Sequence, residues 1–355
     1  MKVNFIVPEI NRTGGMNIIF QYANRLLGRG HDVVLYTPVV PFNMHKNRIK
    51  WYYFKYQVKT VLKWLTAGKN KLPSNIYPYK FKVKFVPVMH NMFVRDADAS
   101  IATSWPTAYP VYHFSSSKGR KYYLIQDYEI WNSNVKYVDR SYTLPLKRIV
   151  CSRHMQKLLM DKFGSDSELI YIGLDRNRFY NDNKIYNEPP VIAFQDHSLP
   201  NKNVEGAIYT CIKLKEKYPD LKFRAFGVKR YHIMPEFIEF TENPNDKELT
   251  DIYSRTDIFL FSSITEGFGS PPSEAMACKC AIVANKVAAI PEYSDHMKTA
   301  IHADPADKDG LFKGAEFLIN NPGKIKEISE AAYIHIREFM NWDKSIVHFE
   351  KFISR

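Results

Sequence analysis

The stretch "VNFIVPEINRTGGMNIIFQYANRLLGRGHDVVLYT", Val3–Thr37, reads as strand, glycine turn, helix and strand. "VNFIVP" is a short apolar run of the kind that forms a buried parallel strand. Ile18, Ile19, Tyr22, Leu26 and Leu27 fall on one helical face, Gly28 and Gly30 stop the helix, and "DVVLY" begins the next strand. This is a βαβ opening. The alternation continues through "DASIATS", "KYYLIQ", "KRIVCS" and "ELIYIG", with a helical stretch over His154–Phe163. Parallel strands with crossover helices predict an α/β, doubly wound sheet. "DRNRFYNDNKIYNEPP", Asp175–Pro190, loses apolar periodicity and marks a domain boundary. A second series follows: "VIAFQ", "VEGAIYTCIKLKEKY", "LKFRAFG", a short helix near Asp246–Ser254, and "DIFLFSS". Two Rossmann-like domains are expected.

"TEGFGSPPSEAMACKCAIVA", Thr265–Ala284, comes directly after that last strand and places Glu266 and Glu274 around a glycine-rich corner. In open parallel sheets, ligands bind outside the carboxyl ends of the strands. Gly267 and Gly269 let backbone approach a ligand closely, and Pro271 or Pro272 suits the first turn of a helix. The unpaired N–H groups of that turn form an anion site. Glu274 is expected within the first turn, so that both carboxylates face one crevice around a phosphate-sized space, which suits a polyhydroxylated ligand bearing phosphate. The competing account makes Glu274 a complement to the helix dipole and Glu266 a solvated loop charge.

Composition limits the alternatives. With 45% hydrophobic and 25% charged residues, the chain reads as globular with a sizeable core rather than disordered. No segment approaches the roughly 18 to 20 apolar residues of a membrane span. Met1–Pro8 is too short for a secretory signal, so a cytoplasmic location is expected. The four cysteines, two of them Cys278 and Cys280 in an apolar run, read as reduced core residues.

Beyond the corner, four further segments resemble family 4 of the retaining glycosyltransferases, which have the GT-B fold. Glu266 and Glu274, with "EGFGSPPSEAMAC", look like that family's E-x7-E signature. "GGMNIIFQYANRLLGRGHDVVLYT" looks like its glycine loop, first helix and second strand, and "IGLDRNRF" like its domain-linking segment. "IPEYSDH" resembles the segment after the motif, and "FMNWDKSIVHFEKFI" the last helix, which crosses back to the N-terminal domain. The resemblance spans nearly the whole chain and is weakest over residues 40 to 95.

The resemblance implies transfer of a sugar from a nucleotide diphosphate sugar, with retention at the anomeric carbon, to a glycan or lipid-linked acceptor. It implies residues 1–175 as an acceptor-binding domain completed by a helix at about 340–355, residues 176–339 as the nucleotide-sugar-binding domain, and a cleft between them. Glu266 is expected to contact donor hydroxyls and Glu274 the ribose. Gly267, Phe268, Gly269 and Ser270 are expected to meet sugar and phosphate, and Gly14 and Gly15 to form the glycine loop at the donor. Lys202 matches a basic residue that neutralises the departing diphosphate; the usual arginine is missing, and His197 or Asn201 stands nearest. Gln126 or Asp127, in "YYLIQDYE", occupies the place of a frequent histidine; Gln126 can bond a donor hydroxyl but cannot shuttle a proton. Lys279, Ala288 and Ala289 stand where glycines are common. The donor is a substrate, and neither cofactor nor metal is expected.

Asp96–Asp98, "DAD", precedes a strand rather than following one and is not read as a metal motif; His31, His113 and His154 are read as structural. A sugar-nucleotide epimerase of the same fold, a pyridoxal-dependent phosphorylase and a basic nucleic-acid binder are the rival functions.

A net charge of +13 is concentrated in one place, since no acidic residue lies between Asp32 and Asp96. Within residues 45–84, Val58, Val61, Leu62 and Leu65 form one helical stripe, and Lys55, Lys59 and Lys63 another. Trp51, Tyr52, Tyr53, Phe54 and Trp64 are of the kind that settles at lipid headgroups. An element facing an anionic membrane surface is expected there; nucleic acid is the less favoured partner.

Overall fold

A computed structural model describes residues 1–42, 58, 59, 62, 77–130 and 133–355. Most of the basic aromatic segment, including residues 51–55, 61 and 63–65, lies outside the described residues. Val58 and Leu62 are helical and 42% and 56% exposed.

The chain divides into two compact units, Met1–Tyr171 with Asp343–Arg355, and Ile172–Trp342. The division falls at Tyr171 rather than after Asp175.

In the first unit the strands are β1 Lys2–Ile6, β2 Asp32–Pro38, β3 Lys82–Val86, β4 Ala99–Ala102, β5 Arg120–Ile125, β6 Lys147–Val150 and β7 Glu168–Leu169. They run parallel in the order β3-β2-β1-β4-β5-β6-β7. Helices α1 Gly14–Gly28, α2 Trp105–His113, α3 Val135–Thr143 and α4 Arg153–Phe163 make the crossovers. Thr13 caps α1 by accepting from Met16 N. At the other end Gly30 takes a φ of +87°, which turns the chain into β2 at no Cβ cost. Residues 82–86, the end of the basic segment and just beyond it, form β3 at the edge of the described sheet, and Lys82 and Lys84 alternate along it. Lysines on an open edge discourage pairing with another chain.

The last helix, α11 Trp342–Ser354, completes this unit from Asp343 onward. Phe349 is fully buried and stacks on Tyr22 at a 4.3 Å centroid distance. Glu350 bonds His31 at 2.7 Å and Arg29 at 2.5 Å, and Ser345 Oγ donates to Tyr171 O at 2.5 Å.

The second unit carries β8 Val191–Gln195, β9 Lys222–Gly227, β10 Ile238–Glu242, β11 Ile258–Phe261, β12 Ala281–Asn285 and β13 Ile301–Ala303. Their order is β10-β9-β8-β11-β12-β13, again parallel. Its helices are α5 Val204–Lys217, α6 Asp246–Ser254, α7 Ser270–Ala277, α8 Ile290–Tyr293, α9 Gly310–Asn320 and α10 Pro322–Phe339. The supposed boundary Asp175–Pro190 is laced to this sheet. Lys184, whose side chain is 1% exposed, donates to Ser254 O and Thr256 O at 3.0 and 2.6 Å and lies 3.5 Å from the equally buried Asp257. Asp257 in turn accepts from Val191 N and Asn187 Nδ2 at 2.8 Å each. Gly173 packs against Trp342, where a Cβ would lie 2.2 Å from the indole. Lys279 and Ala288 have φ of +59° and +48°, a region that favours glycine.

Strand order in the second unit grows outward from β8 to β10 on one side and from β11 to β13 on the other. The reversal between β8 and β11 opens a crevice at their carboxyl ends.

Candidate functional site

The loops leaving β8 and β11 are tied together by backbone and side-chain bonds. Ile264 N donates to Asn201 O at 2.8 Å, Asn201 Nδ2 to Thr265 O at 3.0 Å, and Ser262 Oγ to Lys202 O at 2.9 Å. Asn285 Nδ2, from the end of β12, donates to Ser262 O at 2.8 Å. This frame brings Lys202 Nζ to 2.5 Å from Glu266 Oε1, which also accepts from Ser263 Oγ at 2.8 Å. Glu266 is 9% exposed and the Lys202 side chain 23%. A cation and a carboxylate thus share the mouth of the crevice, each able to exchange its partner for a ligand. His197 joins them: its Nδ1 accepts from Leu199 N at 3.1 Å. Burial, then the charge on Lys202, holds this imidazole below its ordinary pKa.

Helix α7 starts at Ser270 behind Gly269, whose φ is +84° and whose Cβ, if present, would lie 3.0 Å from Ile290 Cδ1. No side chain caps this start, so its N–H groups are open to an anion. Phe268 is buried and stacks on Tyr293, whose hydroxyl donates to Gly269 O at 2.7 Å. Gly267 lies in the same loop. Glu274 is the fifth residue of α7, just beyond the first turn in which it is expected.

Glu274 Oε2 accepts from Tyr253 OH at 3.1 Å. Burial pushes its pKa up to about 7 against the nearby Arg178 charge, which lowers it. Arg178 pairs with Asp246 at 2.9 Å, and its Nε is buried with no hydrogen-bond partner among the described residues. Tyr293 is one residue that sequence reading misses. Its phenol is pushed up first by burial, then by the charges of Glu266 and Glu274, so it lies within electrostatic reach of both carboxylates.

A raised carboxyl pKa makes a stability prediction. The folded chain holds the Glu274 proton more tightly than the unfolded chain, so wild type loses stability as pH rises from about 4.5 through about 7. Glu274→Gln removes that slope. Thermal melts should show the variant equal to wild type near pH 4 and more stable by about 1 to 3 kcal/mol at pH 8. Parallel curves at all pH values would refute the burial of this charge.

In the first unit, Gly14 and Gly15 open α1 at the carboxyl end of β1, facing the end of β5. Gln126 Nε2 donates to Gly15 O at 3.2 Å, while Oε1 is buried with no partner among the described residues. Gly15 matters here, since a Cβ would sit 3.4 Å from that oxygen. Asp127 Oδ1 accepts from Tyr128 N at 2.8 Å, folding back on its own turn. The neighbouring Glu129 goes unremarked in the sequence. It accepts from Trp105 N at 2.6 Å at the start of α2, and burial pushes its pKa up to about 8.

Asp96 and Asp98 are engaged structurally, with Lys118 Nζ at 2.7 Å and Lys2 N at 2.6 Å. All four cysteines are buried, and none is in a disulfide. Among the described residues, no group of three or more His, Cys, Asp or Glu is arranged to hold a metal ion. No helix of the described residues is long and apolar enough to cross a membrane.

Residues 175–335 match the family described as glycosyl transferases group 1. Over 107 residues the chain is 31% identical to the serotype-specific mannosyltransferase WbdA of Escherichia coli, covering 26% of this chain and 13% of that protein. It is 24% identical over 229 residues to the MMP alpha-(1→4)-mannosyltransferase of Mycolicibacterium hassiacum, covering 60% of this chain and 55% of that one. Less than two thirds of either relative is spanned. Among solved structures, HepE of Anabaena in complex with UDP-glucose aligns with a TM-score of 0.76 at 13% identity, covering 100% of this chain and 99% of that chain. TarM of S. aureus, in complex with fondaparinux, alpha-GlcNAc-glycerol and UDP, aligns at 0.74 and 11%, covering 100% of both chains. The fold is GT-B.

Proposed function

With residues 175–335 a glycosyl transferases group 1 domain, we propose that the chain is a retaining glycosyltransferase of the hexosyl type. It moves a sugar from a nucleotide diphosphate sugar to a hydroxyl of a glycan or lipid-linked acceptor, without metal or cofactor. The observation that carries this reading is the Lys202–Glu266 pair, 2.5 Å apart at the β8/β11 reversal and in the loop leading to the uncapped start of α7. Lys202 and the N–H groups near Ser270 hold the diphosphate, with His197, Gly267, Phe268 and Gly269 lining it. Glu266 holds donor hydroxyls and Glu274 the ribose. Gly14, Gly15, Gln126 and Asp127 belong to the first unit, the acceptor-binding domain of this reading, where the orphan Oε1 of Gln126 suits a hydroxyl donor.

In the reaction the bond from the anomeric carbon to the diphosphate breaks, and the acceptor oxygen bonds to that carbon from the same face. The acceptor proton passes to the leaving diphosphate. Growing charge on that group is stabilised by Lys202 and the helix start, a large catalytic contribution in a water-poor site. Both curated relatives named above are mannosyltransferases, so a mannosyl donor is the first to test. Incubation with nucleotide sugars and candidate glycan acceptors, with the product read by NMR, should give transfer with retained anomeric configuration and undiminished rate in EDTA. Epimerised donor without transfer would support the epimerase instead; full dependence on added divalent metal would overturn the metal-free reading.

The working location in this reading is cytoplasmic, with docking on an anionic membrane surface through residues 45–84. The exposure of Val58 and Leu62 supports it. Each basic residue at such a surface contributes about 1 kcal/mol, screened by salt. Co-sedimentation should favour anionic over neutral vesicles at low salt and weaken at high salt. Equal partition to both would remove the membrane from the account.

A further inference from the structure

The loop after β9, "VKRYH", Val228–His232, is pinned to the end of β8 by one buried carboxylate. Asp196, the first residue after β8, has a side chain with no exposure. Its Oδ2 accepts from Tyr231 N at 2.7 Å and His232 N at 3.4 Å, and its Oδ1 lies 2.6 Å from His232 Nδ1. The backbones meet as well: Asp196 N donates to Phe226 O at 2.7 Å, and a Cβ on Gly227 would lie 2.6 Å from Asp196 O. A carboxylate that accepts two backbone N–H groups leaves Nδ1 of His232 as the donor to it, so Nε2 is the nitrogen the ring can offer to a ligand. The His232 side chain is 26% exposed, while Lys229 and Arg230 beside it rest over the rings of Tyr231 and Phe240. Next to Asp196 in the chain is His197, which senses both Lys202 and Glu266. The loop is therefore the β9 side of the same crevice, and its His232 is a nitrogen donor additional to Lys202.

We infer that His232, oriented by Asp196, is a phosphate-binding residue: its Nε2–H contacts an oxygen of the nucleoside diphosphate. This rests on the reading of the second unit as a nucleotide-sugar site. With phosphate on one nitrogen and carboxylate on the other, the bound ring is the doubly protonated imidazolium. Asp196 is the positioning residue; its own charge is met by the three loop donors.

Calorimetric titration of UDP, GDP, ADP and dTDP into wild type, Lys202→Ala, His232→Phe and His232→Gln tests this, with melts of each ligand-free protein alongside. Loss of a hydrogen bond to a charged group should weaken the best diphosphate about tenfold or more in His232→Phe. His232→Gln, which keeps an N–H donor, should lose less, and both melts should stay within a few degrees of wild type. Wild-type affinity in both His232 variants, with Lys202→Ala weakened, overturns the inference and leaves the site reading standing. Weakened binding only with a lowered melt in both variants overturns it too, since a structural role then suffices. No binding of any diphosphate by wild type overturns both.

Discussion

Glu266→Gln is expected to lower kcat by about two orders of magnitude, equivalent to about 2.7 kcal/mol of barrier. The substitution keeps size and hydrogen-bonding capacity but removes the charge that Lys202 and Ser263 now satisfy at 2.5 and 2.8 Å. A carboxylate accepts strongly from sugar hydroxyls, more so as positive charge develops at the anomeric carbon. A neutral amide accepts more weakly and carries no charge to meet the developing one. If the interaction grows in the transition state, kcat falls with little change in KM; a rise in KM alone would make Glu266 a donor-binding group only. Steady-state kinetics near wild type would remove it from the reaction.

Lys202→Ala should cost on the order of 2 to 4 kcal/mol of transition-state stabilisation, the magnitude found for single preorganised donors to a developing anion. The side chain is only 23% exposed and ends a short turn, Pro200–Lys202, bonded to the β11 loop through Asn201. Its position is thus fixed before a ligand arrives. Its removal also leaves Glu266 buried without its cation, so the ligand-free melt of the variant must accompany the kinetics. Unchanged kcat/KM would move the leaving-group role elsewhere in the crevice.

The repeated strand–helix alternation was legible because parallel strands buried on both faces are continuous apolar runs, as in "VIAFQ" and "DIFLFSS". The edges were not. Residues 82–86 alternate lysine with apolar side chains and sit beside a basic stretch, so β3 looked like surface, and β10, Ile238–Glu242, has one fully buried residue. The glutamate corner was visible from glycine, proline and carboxylate spacing, but the bond from Tyr253 to the buried Glu274, 21 positions away, is a tertiary contact that spacing does not encode. Tyr293, Glu129 and the Asp196–His232 pair were missed for one reason. Each owes its setting to residues distant in sequence: His232 is 36 positions from Asp196, and Tyr293 is 24 from the carbonyl it holds. Asp175–Pro190 looked like a linker because its lysine ties to the second sheet run through backbone carbonyls.

Thermal melting of wild type and Lys202→Ala against a panel of nucleotide diphosphate sugars, mannosyl donors included, tests the central claim most directly. A donor bound at a hundredfold excess over its Kd adds about 2.7 kcal/mol, which raises the melting temperature of a unit this size by several degrees. The account predicts such a rise for at least one donor in wild type and its loss in Lys202→Ala. A wild type that no donor stabilises, or a rise of the same size in both proteins, would contradict the assignment of the β8/β11 crevice as the nucleotide-sugar site.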